Sequence, residues 1–246
     1  RQASSAKPSA RPRAAPMNTS WRDRFEKNFI SPEKKLGLDE ILEEAHDAYL
    51  GWLAASLTAF HSDFNEDQVD QLDRIFQGES RIRSIANDCY NYAINGRFRL
   101  AKDAQEQEQM NDDWVCLAIL VQSARPGIEE FSLTVRGRPI GVPAKLEQLL
   151  FHAQIRALLD FSTVDGFDED SDSVPQFFSQ PVPGYLTLKE IALLGQMSER
   201  AVRNAAQPAA ADRLQTRKEQ SQTVVDSEEA LRWLKGRRGF IATRAD

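Results

Sequence analysis

Along residues 38–60 the apolar positions Leu38, Ile41, Leu42, Ala45, Tyr49, Trp52, Leu53 and Leu57 recur at steps of three and four, with acids gathered in the first half. Such steps put side chains on one face of a 3.6-residue turn, so the pattern predicts an amphipathic helix, Leu38–Phe60. Val69, Leu72, Ile75 and Phe76 predict a second over Asn65–Phe76, stopped by Gly78. Ile82, Ile85, Ala86, Cys89, Tyr92 and Ala93 predict further helix within Glu79–Met110, interrupted near Gly96. The apolar run Trp114–Val121 is too short to be typed by its period. Phe131–Val135 and Pro139–Val142, joined by Arg136 and Gly137, predict a hairpin, so a small β element is expected in this region. Pro143 suits a first helical turn, and Leu146, Leu149, Leu150, Ile155, Leu158 and Leu159 form a broad stripe predicted to end near Phe161.

Residues 162–183 show neither period. Asp165, Asp168, Glu169, Asp170 and Asp172 precede Pro175, Pro181 and Pro183. This acidic, proline-containing stretch is expected to be a linker and a domain boundary. Its acids lack the spacing and closing Glu of a calcium loop. Residues 1–16, RQASSAKPSARPRAAP, also lack periodicity and are expected to be a disordered arm or an upstream remnant, with Met17 a candidate start.

Beyond the linker the helices shorten. Thr187 and Glu190 stand in the Thr-x-x-Glu relation of a capping box, which predicts a helix beginning at Thr187 and ending at Gly195. Ser198 can cap a second helix, Glu199 to about Gln207, that stops before Pro208. Its period puts Ala201, Val202, Ala205 and Ala206 toward a core and Arg200, Arg203, Asn204 and Gln207 outward. Leu214–Arg217 and Gln222–Val225 predict a hairpin with Lys218–Ser221 at its tip. Asp226 and Glu229 repeat the capping relation and open a last helix, ending at Gly236, whose Ala230, Leu231, Trp233 and Leu234 can seal a small core.

The charge distribution divides the chain at the same place. The net charge is −6, but residues 184–246 carry +3 and residues 1–16 carry +4, against −13 over residues 17–183. A basic module beside an acidic body is expected when only one part meets a polyanion.

Other functions find little support. The two cysteines, Cys89 and Cys116, have no neighbouring ligand for zinc and imply no disulfide framework, so both read as core residues of a reducing, cytoplasmic setting. No run reaches the length of a membrane span. His46, His61 and His152 assemble with no nucleophile, phosphate loop or metal partner at a diagnostic spacing, so neither catalysis nor a cofactor is expected.

The order helix, turn, helix, hairpin, helix over roughly Tyr185–Lys235 resembles the excisionase and MerR-type winged helix-turn-helix family. The resemblance rests on Ala192 as the small residue of the first helix, Ser198 six residues on, Val202 facing the core, and Arg200 and Arg203 on the outer face. Two places depart from the family. Gln196 stands where a glycine commonly serves a turn of positive φ, with Gly195 one earlier, and Pro208–Asp212 lengthens the link to the hairpin. The resemblance implies a DNA-binding domain in which Ser198, Arg200, Arg203 and Asn204 meet duplex DNA from the second helix, while Arg217 and Lys218 meet its backbone from the wing. It says nothing of residues 17–183.

The expected protein is mainly α. It comprises a helical N-terminal domain with a small β element, residues 17–161, and a C-terminal winged helix-turn-helix, residues 184–246. The expected function, which this resemblance implies, is a sequence-specific regulator of transcription that binds duplex DNA as a homodimer. The stripes of Leu38–Phe60 and Pro143–Phe161 are expected to supply the pairing, and a protein or small-molecule effector would act on the N-terminal domain. The rival expectation is an antitoxin-like or phage-derived adaptor whose N-terminal domain carries the function.

Overall fold

The computed structural model describes Lys27, Phe29 and residues 36–78, 80–163, 184–219 and 221–245. The expected arm, residues 1–16, and nearly all of the expected linker lie outside the described residues. Among the described residues the chain is mainly helical, with three small sheets. The first part runs α1 (Leu38–Phe60), α2 (Glu66–Phe76), α3 (Arg81–Asn95), β1 (Arg97–Phe98), α4 (Ala104–Phe131), β2 (Thr134–Val135), β3 (Arg138–Pro139) and α5 (Ala144–Thr163). The second runs β4 (Tyr185–Thr187), α6 (Leu188–Leu194), α7 (Glu199–Ala205), β5 (Arg217–Glu219), β6 (Gln222–Asp226), α8 (Ser227–Leu234) and β7 (Arg244–Ala245).

Helix α1 spans the expected residues. Helix α2 opens on a reciprocal box between Asn65 and Gln68, and α3 closes at Gly96 in the left-handed region, φ 64°. A Cβ on Gly96 would also come within 2.7 Å of the Ala242 carbonyl, so both the turn and the close approach of the C-terminal segment require glycine there. The run Trp114–Val121 is the middle of the 28-residue helix α4 rather than part of a β element. Trp114, Leu117, Ala118 and Val121 are buried while Val115 and Ile119 stay exposed, so a helical face was hidden by apolar residues on both sides of the helix. The hairpin is shorter than expected: Phe131 ends α4, and Arg136 and Gly137, both at positive φ, turn β2 into β3.

Two apolar clusters form. The first gathers α1 to α5 and the β2–β3 hairpin, with α1 and α4 crossing where Gly51 lies against Ile128 and Gly127 against Ala55. The second gathers the C-terminal elements together with Phe151, Ile155 and Leu159 of α5. Helix α5 therefore serves both cores, and every residue from Gln148 to Asp160 is buried. Its stripe is consumed inside the molecule, so α5 offers none of the partner surface expected of it.

A helix buried on all sides must satisfy its polar groups internally. At its N-terminus the Glu44 carboxylate accepts from the Lys145 and Leu146 amides at 2.8 and 3.5 Å. Near its other end Arg156 donates to the Ala93 carbonyl at 3.0 Å, the Ile241 carbonyl at 2.8 Å and the Thr243 hydroxyl at 2.9 Å. Asp160 accepts from the Tyr92 and Thr243 hydroxyls, each at 2.8 Å. The last residues thus form a strap over α3 and α5, extended by parallel pairing of β1 with β7 in the register Arg97 to Arg244.

Removing one side of this network strands the other. Arg156→Leu should lower unfolding free energy by roughly 3–5 kcal/mol, as for breaking other buried charged pairs. Urea denaturation reads it directly, and a loss below about 1 kcal/mol would mean that water replaces the guanidinium.

The same helix makes stability depend on pH. Burial, aided by the Arg156 charge, holds His152 well below its ordinary value, so its contribution is complete above 6.5 and is lost as the pH falls. Burial pushes Asp160 the other way, up to about 6 from 3.8, so its contribution is present at low pH and lost as pH rises through about 6. In His152→Gln only the second effect remains. The drop in urea midpoint between about pH 7 and pH 5 should therefore shrink, and an unchanged drop would assign the acid sensitivity elsewhere.

Candidate nucleic-acid interface

The C-terminal elements form a compact unit because short helices are tied at each end. The Thr187 hydroxyl accepts from the Glu190 amide at 3.3 Å, and the Glu190 carboxylate accepts from the Thr187 amide at 2.6 Å. The expected capping box is therefore in place at the start of α6. Residues just before it also form β4, which pairs antiparallel with β6 and gives the sheet order β4-β6-β5. Leu188, Ile191, Ala192, Leu193 and Leu194 are all buried, which seats α6 in the second core.

The turn between α6 and α7 does not shift to Gly195. Gly195 has an ordinary φ of −80°, and Gln196 itself takes the left-handed conformation at φ 48°. The Gln196 and Met197 amides donate back to the carbonyls of Leu193 and Ala192, which ties the turn to α6 and holds Gln196 in that region. Ser198 then caps α7, its hydroxyl accepting from the Ala201 amide at 3.3 Å.

Helix α7 has seven residues and turns Val202 into the core. Arg200, Arg203, Asn204 and Gln207 are exposed, as the period predicts. Ala201, expected inside, is exposed, and Ala205 and Ala206 are only half-buried, because one short helix buries a narrow stripe. The long link that follows is pinned by its own residues. Leu214 is fully buried, its amide donates to the Ala205 carbonyl at 2.9 Å, and the Asp212 carbonyl accepts from the Trp233 indole at 3.1 Å.

That burial changes the hairpin. Leu214 belongs to the core rather than to a strand, so β5 begins only at Arg217 and Lys218 lies opposite Thr223 within the ladder, not at the tip. The capping expected of Asp226 is also absent. Its carboxylate accepts from the Arg217 Nε at 2.9 Å, while Glu229 accepts from the Gln215 amide at 2.9 Å and pairs with Arg232.

The sequence-derived site residues therefore fall into two groups, Ser198, Arg200, Arg203 and Asn204 on α7, and Arg217 and Lys218 on β5. Their surroundings differ. Arg200 is exposed and ion-paired to no described residue. Arg203 is paired with Glu199 one turn earlier. Arg217 is held by Asp226 and Glu219 and lies over the Tyr185 ring at 5.3 Å, and these hydrogen bonds, Asp226 first, raise its pKa further. Among the described residues Lys218 donates only to the Thr223 hydroxyl, at 2.8 Å. Arg213, Lys235 and Arg238 are three further exposed cations on this unit that periodicity could not single out, since none lies in a regular element.

The other titratable residues point elsewhere. His46 meets Asp73 at 2.8 Å, a carboxylate also paired with Arg136. Cys89 is buried and its thiol is pushed up by burial, whereas Cys116, expected in the core, is exposed on the outer side of α4. Among the described residues no group of three or more His, Cys, Asp or Glu could hold a metal, and no helix is long and apolar enough to cross a membrane. Comparison of the chain with protein-family models, curated proteins and solved structures gives no match.

The strained turn gives a direct test. A non-glycine residue in the left-handed region costs on the order of 1 kcal/mol, so Gln196→Gly should raise unfolding free energy by about that amount. Thermal melting decides it, and a destabilised variant would show that the Gln196 side chain contributes more than its backbone costs.

Proposed function

We propose that residues 184–240 form a winged helix-turn-helix that binds duplex DNA, and that the chain is a sequence-specific regulator, of transcription in the first instance, working as a dimer. The observation that carries this reading is the outer face of α7. Four groups that suit base edges and phosphates, Arg200, Arg203, Asn204 and Gln207, stand exposed on a helix whose other side is anchored by Val202 and whose start is capped by Ser198. The β5–β6 hairpin and the closing helix α8 follow in the order that such a reader requires.

In this reading α7 enters the major groove and Arg203 reaches base edges, where bidentate contact to guanine is the commonest specific pairing. Arg200 and Lys218 meet phosphates and set register without reading sequence. The Ser198 hydroxyl is already used by its cap, so its part is to position α7. Glu199 acts against affinity, because its pairing with Arg203 must loosen before a base can be contacted. Arg217, held by two carboxylates, stiffens the hairpin and contributes less to phosphate binding than Lys218. The body, residues 17–183, carries −13 and is repelled by the phosphates, which leaves the basic unit to make the contact.

Fluorescence anisotropy on a selected duplex, repeated across a salt series, tests the assignment. Arg203→Ala should cost on the order of 1–3 kcal/mol and relax base preference, whereas Lys218→Ala should weaken all duplexes alike and lower the salt slope by roughly one. Glu199→Ala should tighten binding several-fold. Absence of salt-dependent binding to any duplex would sink the reading and leave an adaptor acting through the N-terminal part.

A further inference from the structure

Helix α3 sets Ile85, Asp88 and Asn91 on one face at steps of three, with Tyr92 beside them. Together with Phe98 of β1 and Met110 and Trp114 of α4 they line a cavity of about 240 Å³. That volume matches on the order of eight waters at ~30 Å³ each, so its occupant is small. We propose that this cavity is a binding site for a small organic monocation, a primary ammonium carried on a short apolar body. The inference goes beyond the DNA reading and does not depend on it.

Most of the lining is apolar. Ile85, Tyr92, Phe98, Met110 and Trp114 are all buried, and the Tyr92 hydroxyl is already given to Asp160 at 2.8 Å. The Asn91 carboxamide oxygen is likewise engaged, accepting from Asn95 at 3.1 Å. An apolar wall on which a few polar groups converge is the usual composition of a small-molecule site.

Charge selects the occupant. Of the four charged groups in the lining, Arg99 is engaged by Glu106 at 2.6 Å and Asp113 accepts from Arg81 at 2.8 and 2.5 Å. Arg97 is exposed to water, which screens it. Asp88 differs from all three: it is half-buried and makes no hydrogen bond or ion pair with any described residue. Burial pushes its pKa up, an effect that the Arg99 charge offsets and the Asp113 charge reinforces. Filling the cavity with an anion or a plain hydrocarbon would strip this carboxylate of water and leave it unpaired. A neutral donor restores one hydrogen bond but no counter-charge. An ammonium supplies both, while the apolar body that carries it covers the rest of the lining. The net −13 of residues 17–183 also raises the local concentration of cations.

Phenethylammonium, phenethyl alcohol and phenylacetate share one apolar body and differ in charge. Titrated into the full chain and followed by ligand-observed nuclear magnetic resonance, the ammonium should bind, the alcohol should bind roughly tenfold more weakly, and the carboxylate should not bind. Asp88→Asn should weaken the ammonium by roughly tenfold or more without lowering the melting temperature, since the amide carries no charge to bury. Arg99→Ala, at an exposed position, should tighten it several-fold by removing the cation that competes for Asp88, a gain that a misfolded variant does not give. The proposal is overturned if no probe binds at millimolar concentration or if all three bind alike. It is overturned equally if Asp88→Asn binds the ammonium as the native chain does, or if Arg99→Ala leaves its affinity unchanged.

Discussion

A helix that water does not reach from Gln148 to Asp160 needs partners inside the protein for its charged groups and first amides, and much of the fold is arranged around that demand, although His152 Nε2 and Gln154 Oε1 find no hydrogen-bond partner among the described residues. Glu44 on α1 supplies the acceptor for the first amides of α5. The Ala93 carbonyl at the end of α3 and the Ile241 carbonyl of the C-terminal segment supply acceptors for Arg156. Tyr92 and Thr243 supply donors to Asp160. Three stretches distant in sequence, α3, α5 and the C-terminal segment, converge because one buried guanidinium and one buried carboxylate cannot be left alone.

This arrangement ties the two cores together. Phe151, Ile155 and Leu159 give the C-terminal unit part of its own core, and the strap from Phe240 to Ala245 returns across α3 to pair β7 with β1. Phe240 is buried in the second core and also lies against the Arg156 guanidinium at 5.4 Å, so a single residue touches both the C-terminal unit and the network. The orientation of α7 relative to the acidic body is therefore set by the contacts of α5 and the strap.

Within the C-terminal unit the opposing charges are balanced closely. Asp212 engages Arg232 and Arg237, Glu229 engages Arg232, and Asp226 engages Arg217. These exposed pairs contribute little to stability individually, but they hold the long link and the hairpin in place. They also reduce the free positive charge well below what the count of basic residues suggests. Arg200, Arg213, Lys218, Lys235 and Arg238 are left as exposed cations without a carboxylate partner among the described residues.

Local physics was legible in the sequence. The periods of α1 and α2, the Thr187–Glu190 box, the Ser198 cap and the Arg136–Gly137 turn depend on residues within one or two turns of each other, and each is found where the pattern places it. The outward face of α7 followed from the same 3.6-residue period. What depended on distant neighbours was not legible. Trp114–Val121 hides its period because apolar side chains occupy both the core side and the open side of α4. Asp226 abandons its helix for Arg217, and Leu214 leaves the hairpin for the core, since in each case a tertiary partner outcompetes the local one. The stripe on α5 was read correctly as apolar, yet only the packing of two cores around it decided that no part of it would face outward. A sequence period reports which side of a helix is apolar, whereas what covers that side is decided by elements that the chain brings back from far away.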